Sequence, residues 1–306
     1  MILAAGLTPA WQQILLLEAL RPGEVNRARE VHWCASGNVL NVGIALGHLG
    51  ATSKTLSLVG GTTGTLVQDE FRSLDLPARW VQCKSPTRGC TTILDTNAGT
   101  TTELVENTAP ADAAELDAFR VAFRDEASRA DAVVLSGSLP AATPGTYYRD
   151  LLNCTSARAV LDVRGPELLE ALECRPFLVK PNREELGRTV GSTVDTDDAL
   201  LAAMRDLNRR GAEWVVVTQG RGPVWVTSPA QTFRLLPPAA RVVNPIGCGD
   251  SMAAGIAWGI QQGRTPLDAV RLGMGAAAAN LSQLLPARLD PEAVASIAES
   301  IPADEI

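Results

Sequence analysis

From residue 113 onward, short apolar runs alternate with helical stretches, and this rhythm constrains the fold more than any other feature of the chain. Residues 113–130 read as a helix and 132–135 as a strand that ends in Ser136-Gly137-Ser138-Leu139-Pro140. Residues 159–163 and 177–180 read as strands, 195–210 as a helix, and 213–218 as a Val-rich strand. Strands at 224–227 and 232–235 flank Ser228-Pro229, and helices follow at 249–262, 266–282 and 290–300. Strands separated by helices of ten or more residues form a mainly parallel sheet with helices on both faces. The N-terminal part carries the same elements. Residues 1–7 read as a buried strand closed by Thr8-Pro9, and 38–49 as a helix stopped by Gly50. A strand at 56–59, a helix at 65–74 and a strand at 80–83 follow. Two segments, 11–34 and 84–106, break the rhythm. The first holds a mixed, exposed strand at 25–34; the second holds Thr-rich strands at 91–95 and 101–106 joined by Thr96-Asn97-Ala98-Gly99-Thr100, which has hairpin chemistry. They read as insertions that form a small sheet of their own within a single α/β domain over 1–306.

With 46% hydrophobic residues the chain can bury a large core, and 20% charged residues argue against disorder. A net charge of −7 without a basic run gives no electrostatic footprint for nucleic acid. No apolar stretch reaches the ~20 residues of a membrane helix. The first cation is Arg21, so no secretory n-region is expected. Six scattered cysteines without a CxxC pair, and two histidines without metal-ligand spacing, are expected to be reduced thiols and plain side chains of a cytoplasmic protein.

Chemistry concentrates in Asn244-Pro245-Ile246-Gly247-Cys248-Gly249-Asp250-Ser251, directly before an apolar helix. Two glycines let a backbone approach an anion at a helix N-terminus, where free N–H groups and the dipole favour negative charge. A carboxylate beside such a pocket suits a general base, with Asp250 taking a proton from a hydroxyl that attacks a phosphoryl group. The same residues also fit a helix start capped by Asp250 or Asn244. A second stretch, Lys180-Pro181-Asn182-Arg183-Glu184-Glu185, follows an apolar strand. Asn182 and Glu185 share one helical face and offer oxygen ligands for Mg²⁺; equally, they fit a capping box.

Taken together these stretches resemble the ribokinase-like, phosphofructokinase B family of sugar kinases, most closely its 1-phosphofructokinase and tagatose-6-phosphate kinase branch. The resemblance runs over nearly the whole chain: Leu7-Thr8-Pro9-Ala10, Arg21-Pro22-Gly23-Glu24-Val25-Asn26-Arg27, Asn41-Val42, Ser136–Pro140, Lys180-Pro181-Asn182 with Glu185, and Asn244–Ser251. It implies a three-layer fold with a small β-sheet lid that closes over the sugar and mediates a homodimer. It also implies ATP-dependent phosphorylation of a sugar or sugar-phosphate hydroxyl. Asp250 would be the base, with Gly247, Cys248 and Gly249 as the anion hole. Asn182 and Glu185 would organise Mg²⁺, and Lys180, Thr218, Gly220 and Asn280 would meet the nucleotide, Asn280 at the adenine. Gln12, Gly37, Asn38, Asn41, Arg88 and Ser138 would face the acceptor.

The clearest departures cluster at the acceptor end. Gln12 stands where the family has an Asp that grips sugar hydroxyls, and Asn38 where its Lys helps hold the substrate phosphate. Val39 replaces a glycine, Cys90 an asparagine, and Cys248 an alanine. An amide cannot supply a cation to a phosphate; Arg88 with Ser138, or Arg27, Arg29 or Lys84, would have to compensate. A sugar-phosphate kinase with an altered acceptor site is the favoured expectation. A kinase of an unphosphorylated sugar, polyol or nucleoside, and a non-catalytic sugar or nucleotide sensor, are the alternatives.

Overall fold

The computed structural model describes residues 1–306. The chain begins with strands β1 (Ile2–Gly6), β2 (Ala10–Leu17) and β3 (Glu30–Ser36), helix α1 (Asn38–His48), β4 (Ser53–Val59) and α2 (Gly61–Ser73). Strands β5 (Ala78–Gln82), β6 (Arg88–Asp95) and β7 (Thr100–Val105), helix α3 (Ala113–Ala127) and β8 (Ala132–Ser136) follow. Next come α4 (Tyr147–Leu152), β9 (Arg158–Asp162), α5 (Pro166–Ala171), β10 (Leu178–Val179), α6 (Arg183–Val190) and α7 (Asp197–Arg210). The last part holds β11 (Trp214–Val217), β12 (Val224–Thr227), β13 (Thr232–Leu235), α8 (Cys248–Gln261), α9 (Pro266–Leu281), α10 (Pro291–Glu299) and β14 (Ala303–Glu305).

Ten strands form one sheet in the order β14-β13-β12-β11-β10-β9-β8-β1-β4-β5. The run from β11 to β5 is parallel, and β12, β13 and β14 extend it antiparallel. Side chains alternate between its faces with period two. Ile2, Ala4, Val134 and Val216 meet α1, α2, α8, α9 and α10, whereas Leu3, Ala5, Leu135 and Val217 meet α3 to α7. These are the two covered faces of a doubly wound sheet. Glycines let α8 and α9 touch: a Cβ on Gly255 would sit 2.8 Å from the Gly273 Cα and the Leu272 carbonyl oxygen. This contact fixes the helix whose first turn carries Asp250.

The two insertions form a separate sheet, β3-β2-β6-β7, in which β2 and β6 are parallel and the outer pairs antiparallel. Strand β2 is not among the strands expected from the sequence, because Gln12 and Gln13 interrupt its apolar run, yet its first residues alternate inward and outward. The strand expected at 25–34 begins only at Glu30, and that expected at 177–180 shrinks to Leu178–Val179. No helix is long and apolar enough to cross a membrane.

Candidate active site

The functional side chains lie beyond the carboxyl ends of the parallel strands, where open α/β sheets bind ligands. Gly247 holds the turn before α8 at φ 80°, and a Cβ there would come 2.9 Å from the Pro286 Cβ. Helix α8 has no side-chain cap. Asp250 is buried, and its two carboxylate oxygens accept from Asn38 Nδ2 at 2.9 Å and Asn41 Nδ2 at 2.8 Å. Asn244 instead braces the approach, accepting from the Ile246 N–H at 3.0 Å and donating to the Leu284 carbonyl at 2.9 Å. The capping explanation of Asp250 therefore fails, and a buried carboxylate in a glycine turn needs another reason. Burial, then the field of Asp162, pushes its pKa up to about 7 against the opposing effects of Asn41, Lys180 and Asn38. Burial also pushes the Cys248 thiol up to about 11, which leaves it protonated and unreactive at neutral pH.

Lys180 follows β10 and pairs with Asp162, the last residue of β9, at 2.9 Å. Burial works against the ammonium, but Asp162, Asp250 and Glu185 outweigh it and hold the Lys180 pKa above its ordinary value. Its Nζ lies 3.5 Å from where a Cβ on Gly249 would be, so the bare glycine leaves the cation facing the turn. A helix N-terminus, flexible glycines and a fixed cation together form a fit for phosphate oxygens.

Asn182 and Glu185 take the capping-box arrangement at the start of α6. Asn182 Oδ1 accepts from the Glu185 N–H at 2.8 Å, and Glu185 Oε2 accepts from the Asn182 N–H at 3.0 Å. Glu185 Oε1 also meets Arg164 at 3.1 Å. Glu185 still lines the central cavity, together with Asp162, whereas Asn182 does not. No three His, Cys, Asp or Glu residues are gathered to hold a metal ion. Asp162 and Glu185 do fit Mg²⁺ held by one or two carboxylates, water and the phosphates of a nucleotide, rather than by a closed protein cage.

The cavity holds about 430 Å³ and is walled on one side by Asp250 and Gly247 and on the other by the small sheet. Gln12, Gly37, Asn38, Asn41, Arg88 and Ser138 all line it. Gln12 is buried, its Nε2 donates to the Thr92 hydroxyl, and its Oε1 is buried without a partner. Such an orphan acceptor calls for a donor from a ligand. Arg88 spends donors on the Glu106 carbonyl at 3.2 Å and the Thr8 carbonyl at 3.3 Å, while its Nε is unpaired. Asn38 is exposed to the cavity, and its amide N–H is given to Asp250. Arg27 and Arg29 are exposed and off the cavity, and Lys84 pairs with Asp112. The cation that joins Arg88 there is Arg164.

Thr218 and Gly220 lie past β11, outside this cavity; Thr218 is bridged to Asn182, and Gly220 is exposed at φ 62°. Asn280 is buried, and its amide staples the glycine turn. Its Nδ2 donates to the Ile246 carbonyl at 2.8 Å, and its Oδ1 accepts from the Ala287 N–H at 2.7 Å and the Ser251 hydroxyl at 3.2 Å. A separate cavity of about 360 Å³ does open beside α9, lined by Ala278, Ala279 and Ser282 and by the loop 238–241. Two cavity carboxylates, Asp162 and Glu103, escape sequence reasoning. The only signal for Asp162 is its place at the end of an apolar strand, and Glu103 lies in a Thr-rich stretch with no motif.

The family model described as pfkB family carbohydrate kinase matches residues 5–292. Two of the solved structures that share the fold are the following. Phosphofructokinase-2 from Escherichia coli, in complex with fructose-6-phosphate, superposes with a TM-score of 0.88 at 23% identity over 98% of this chain and 99% of that one. A "possible 1-phosphofructokinase" from Thermotoga maritima does so with a TM-score of 0.92 at 20% identity over 100% of this chain and 99% of that one. With a match over nearly its whole length, and a mainly parallel sheet with a small second sheet in common with these structures, the chain belongs to the pfkB family of carbohydrate kinases.

Proposed function

We propose that the chain is an ATP-dependent kinase that phosphorylates a hydroxyl of a sugar phosphate, with Asp250 as the general base. The observation that carries this is the buried Asp250 carboxylate, pushed up to about 7, in a glycine turn at the mouth of a cavity with Arg88 on its far wall. ATP supplies the γ-phosphoryl group. The chain's own part is positioning and charge: Asp250 takes the proton from the acceptor hydroxyl. The N–H groups of the turn from Gly247 to Gly249, with the α8 N-terminus, stabilise the charge that develops. Lys180 holds phosphate oxygens, Asp162 and Glu185 face Mg²⁺, and the cavity beside α9 takes the base of the nucleotide. Strands β2, β3, β6 and β7 act as a lid that keeps water from competing with the hydroxyl. Six free thiols suit a reducing, cytoplasmic setting.

A second reading has its own support. The Asn38 amide N–H is given to Asp250, two of the Arg88 donors are spent, and the Glu103 carboxylate shares the wall. These features favour an unphosphorylated sugar or polyol. An ADP-release screen with Mg-ATP over fructose 1-phosphate, fructose 6-phosphate, tagatose 6-phosphate, fructose, ribose and nucleosides separates the two. Turnover confined to phosphorylated sugars is the expected result. Turnover only on unphosphorylated acceptors selects the second reading, and none on any acceptor removes the kinase assignment.

The outer face of the lid supports a homodimer. Val31, Trp33 and Leu104 are 48%, 52% and 58% exposed, and Trp33 stacks on Trp11 at 6.4 Å between ring centroids. Leu15 is the cross-strand partner of both Val31 and Ile93, so these apolar side chains share one sheet face. A face of this kind on a sheet is a partner surface or an aggregation liability. Trp33→Glu is expected to convert a dimer to a monomer in light scattering; a wild-type chain that already runs as a monomer would remove the lid-mediated dimer.

A further inference from the structure

The residue that replaces a family lysine at position 38 lines the cavity and gives its amide N–H to the base. Asn38 and Asn41 project from the first turns of α1 and give one amide N–H to each oxygen of Asp250. The Ser36 hydroxyl donates to Asn41 Oδ1 at 3.3 Å, which aims the Asn41 amide nitrogen at the carboxylate. Gly37 turns the chain from β3 into α1 at φ 88°, with a Cβ there only 2.9 Å from the Thr8 carbonyl oxygen. The joint is tight, so the two amides have a fixed origin. Other charged or titratable groups whose fields reach or adjoin Asp250 are Asp162 from β9, Lys180 after β10, Glu185 from α6 and Cys248 in its own helix. Lys180 is the only cation among them.

A lone carboxylate rotates about its terminal torsion, which is broad and roughly two-fold. Donors on both oxygens fix its plane and leave its remaining lone pairs for the cavity. We propose that Asn38 is a positioning residue: with Asn41 it holds the Asp250 carboxylate in the orientation that takes the acceptor's proton, and it does not bind a phosphate of the acceptor. This rests on Asp250 being the base, but the hydrogen bonds themselves do not, so the two can fail separately.

The test uses the full chain with Asn38→Leu and Asn38→Lys. Two readouts apply: steady-state kinetics with phosphorylated and unphosphorylated sugars, and the titration of Asp250 followed by carbon-13 carboxyl NMR, assigned by its loss in Asp250→Asn. Asn38→Leu removes one donor to the charged form, so the titration midpoint is expected to rise by roughly one unit. Its kcat is expected to fall roughly tenfold to a hundredfold with the acceptor KM little changed. Asn38→Lys keeps a donor and adds a cation, so the midpoint falls and the KM for phosphorylated sugars stays put. Two results would overturn the proposal. One is an unmoved midpoint in Asn38→Leu. The other is an Asn38→Lys variant whose KM drops at least tenfold (about 1.4 kcal/mol) for phosphorylated sugars alone. If the wild-type chain turns over no acceptor, the kinase assignment falls, and the NMR titration still decides whether the amides hold Asp250.

Discussion

Asp250→Asn is expected to lower kcat by roughly a thousandfold, the middle of the range that a general base contributes, while calorimetry shows nucleotide and acceptor still binding. The amide keeps the size of the side chain and loses only the proton acceptor. The same change is expected to raise the melting temperature, and the sign follows from linkage. The folded-state pKa of about 7 lies above the ordinary value of 3.8, so between those values the folded chain binds more protons than the unfolded one. Stability therefore falls as pH rises through that window, and the cost of the buried charge is complete above it. The gain in melting temperature from Asp250→Asn should be largest above pH ~7 and vanish below pH ~4. In the wild type, kcat/KM should climb with pH through about 7 as the base of the free enzyme becomes able to accept a proton. A kcat reduced less than tenfold would exclude Asp250 as the base.

Lys180→Met should be the most damaging single change to the fold around the site. The Lys180 and Asp162 side chains are only 4% and 11% exposed, and their contact is 2.9 Å. Removing the cation leaves a carboxylate without its partner in the interior, which costs about 3–5 kcal/mol. Urea denaturation at neutral pH should show that loss. Lys180→Met/Asp162→Asn should recover most of it, because two neutral groups of similar shape avoid the stranded charge. A single-variant loss below about 1 kcal/mol would mean that water reaches the pair. Activity should not return in the double variant, since the cation that faces the glycine turn is gone.

The parallel sheet was legible because strand and helix periods separate cleanly in 113–300. Strand β2 was less so: two glutamines interrupt its apolar run, and only its pairing with β3 and β6 makes it a strand. At the site, the turn from Gly247 to Asp250 could be read because its residues are contiguous and each has a physical reason to be there. Asp162 could not, since one carboxylate at the end of a strand has no local pattern; its meaning comes from Lys180, 18 residues later. The contact of Asn38 is hidden for a different reason: correspondence to a lysine suggests a phosphate partner, and only the folded chain brings its amide N–H to Asp250, 212 residues away. For Asn280, sequence position does not tell whether its amide is free or, as in the structure, already hydrogen-bonded.

The two amides that meet Asp250 stand 212 and 209 residues before it in the chain. Contacts of such sequence separation form only after a large loop has closed, and they are characteristic of slow, late steps in folding. On the ribosome the clamp is synthesised long before the carboxylate it holds, so a nascent chain carries half of a reaction centre for most of its elongation. No contiguous half of the molecule contains both parts, and phosphoryl transfer becomes available only when the C-terminal helices have docked onto a sheet begun at the other end.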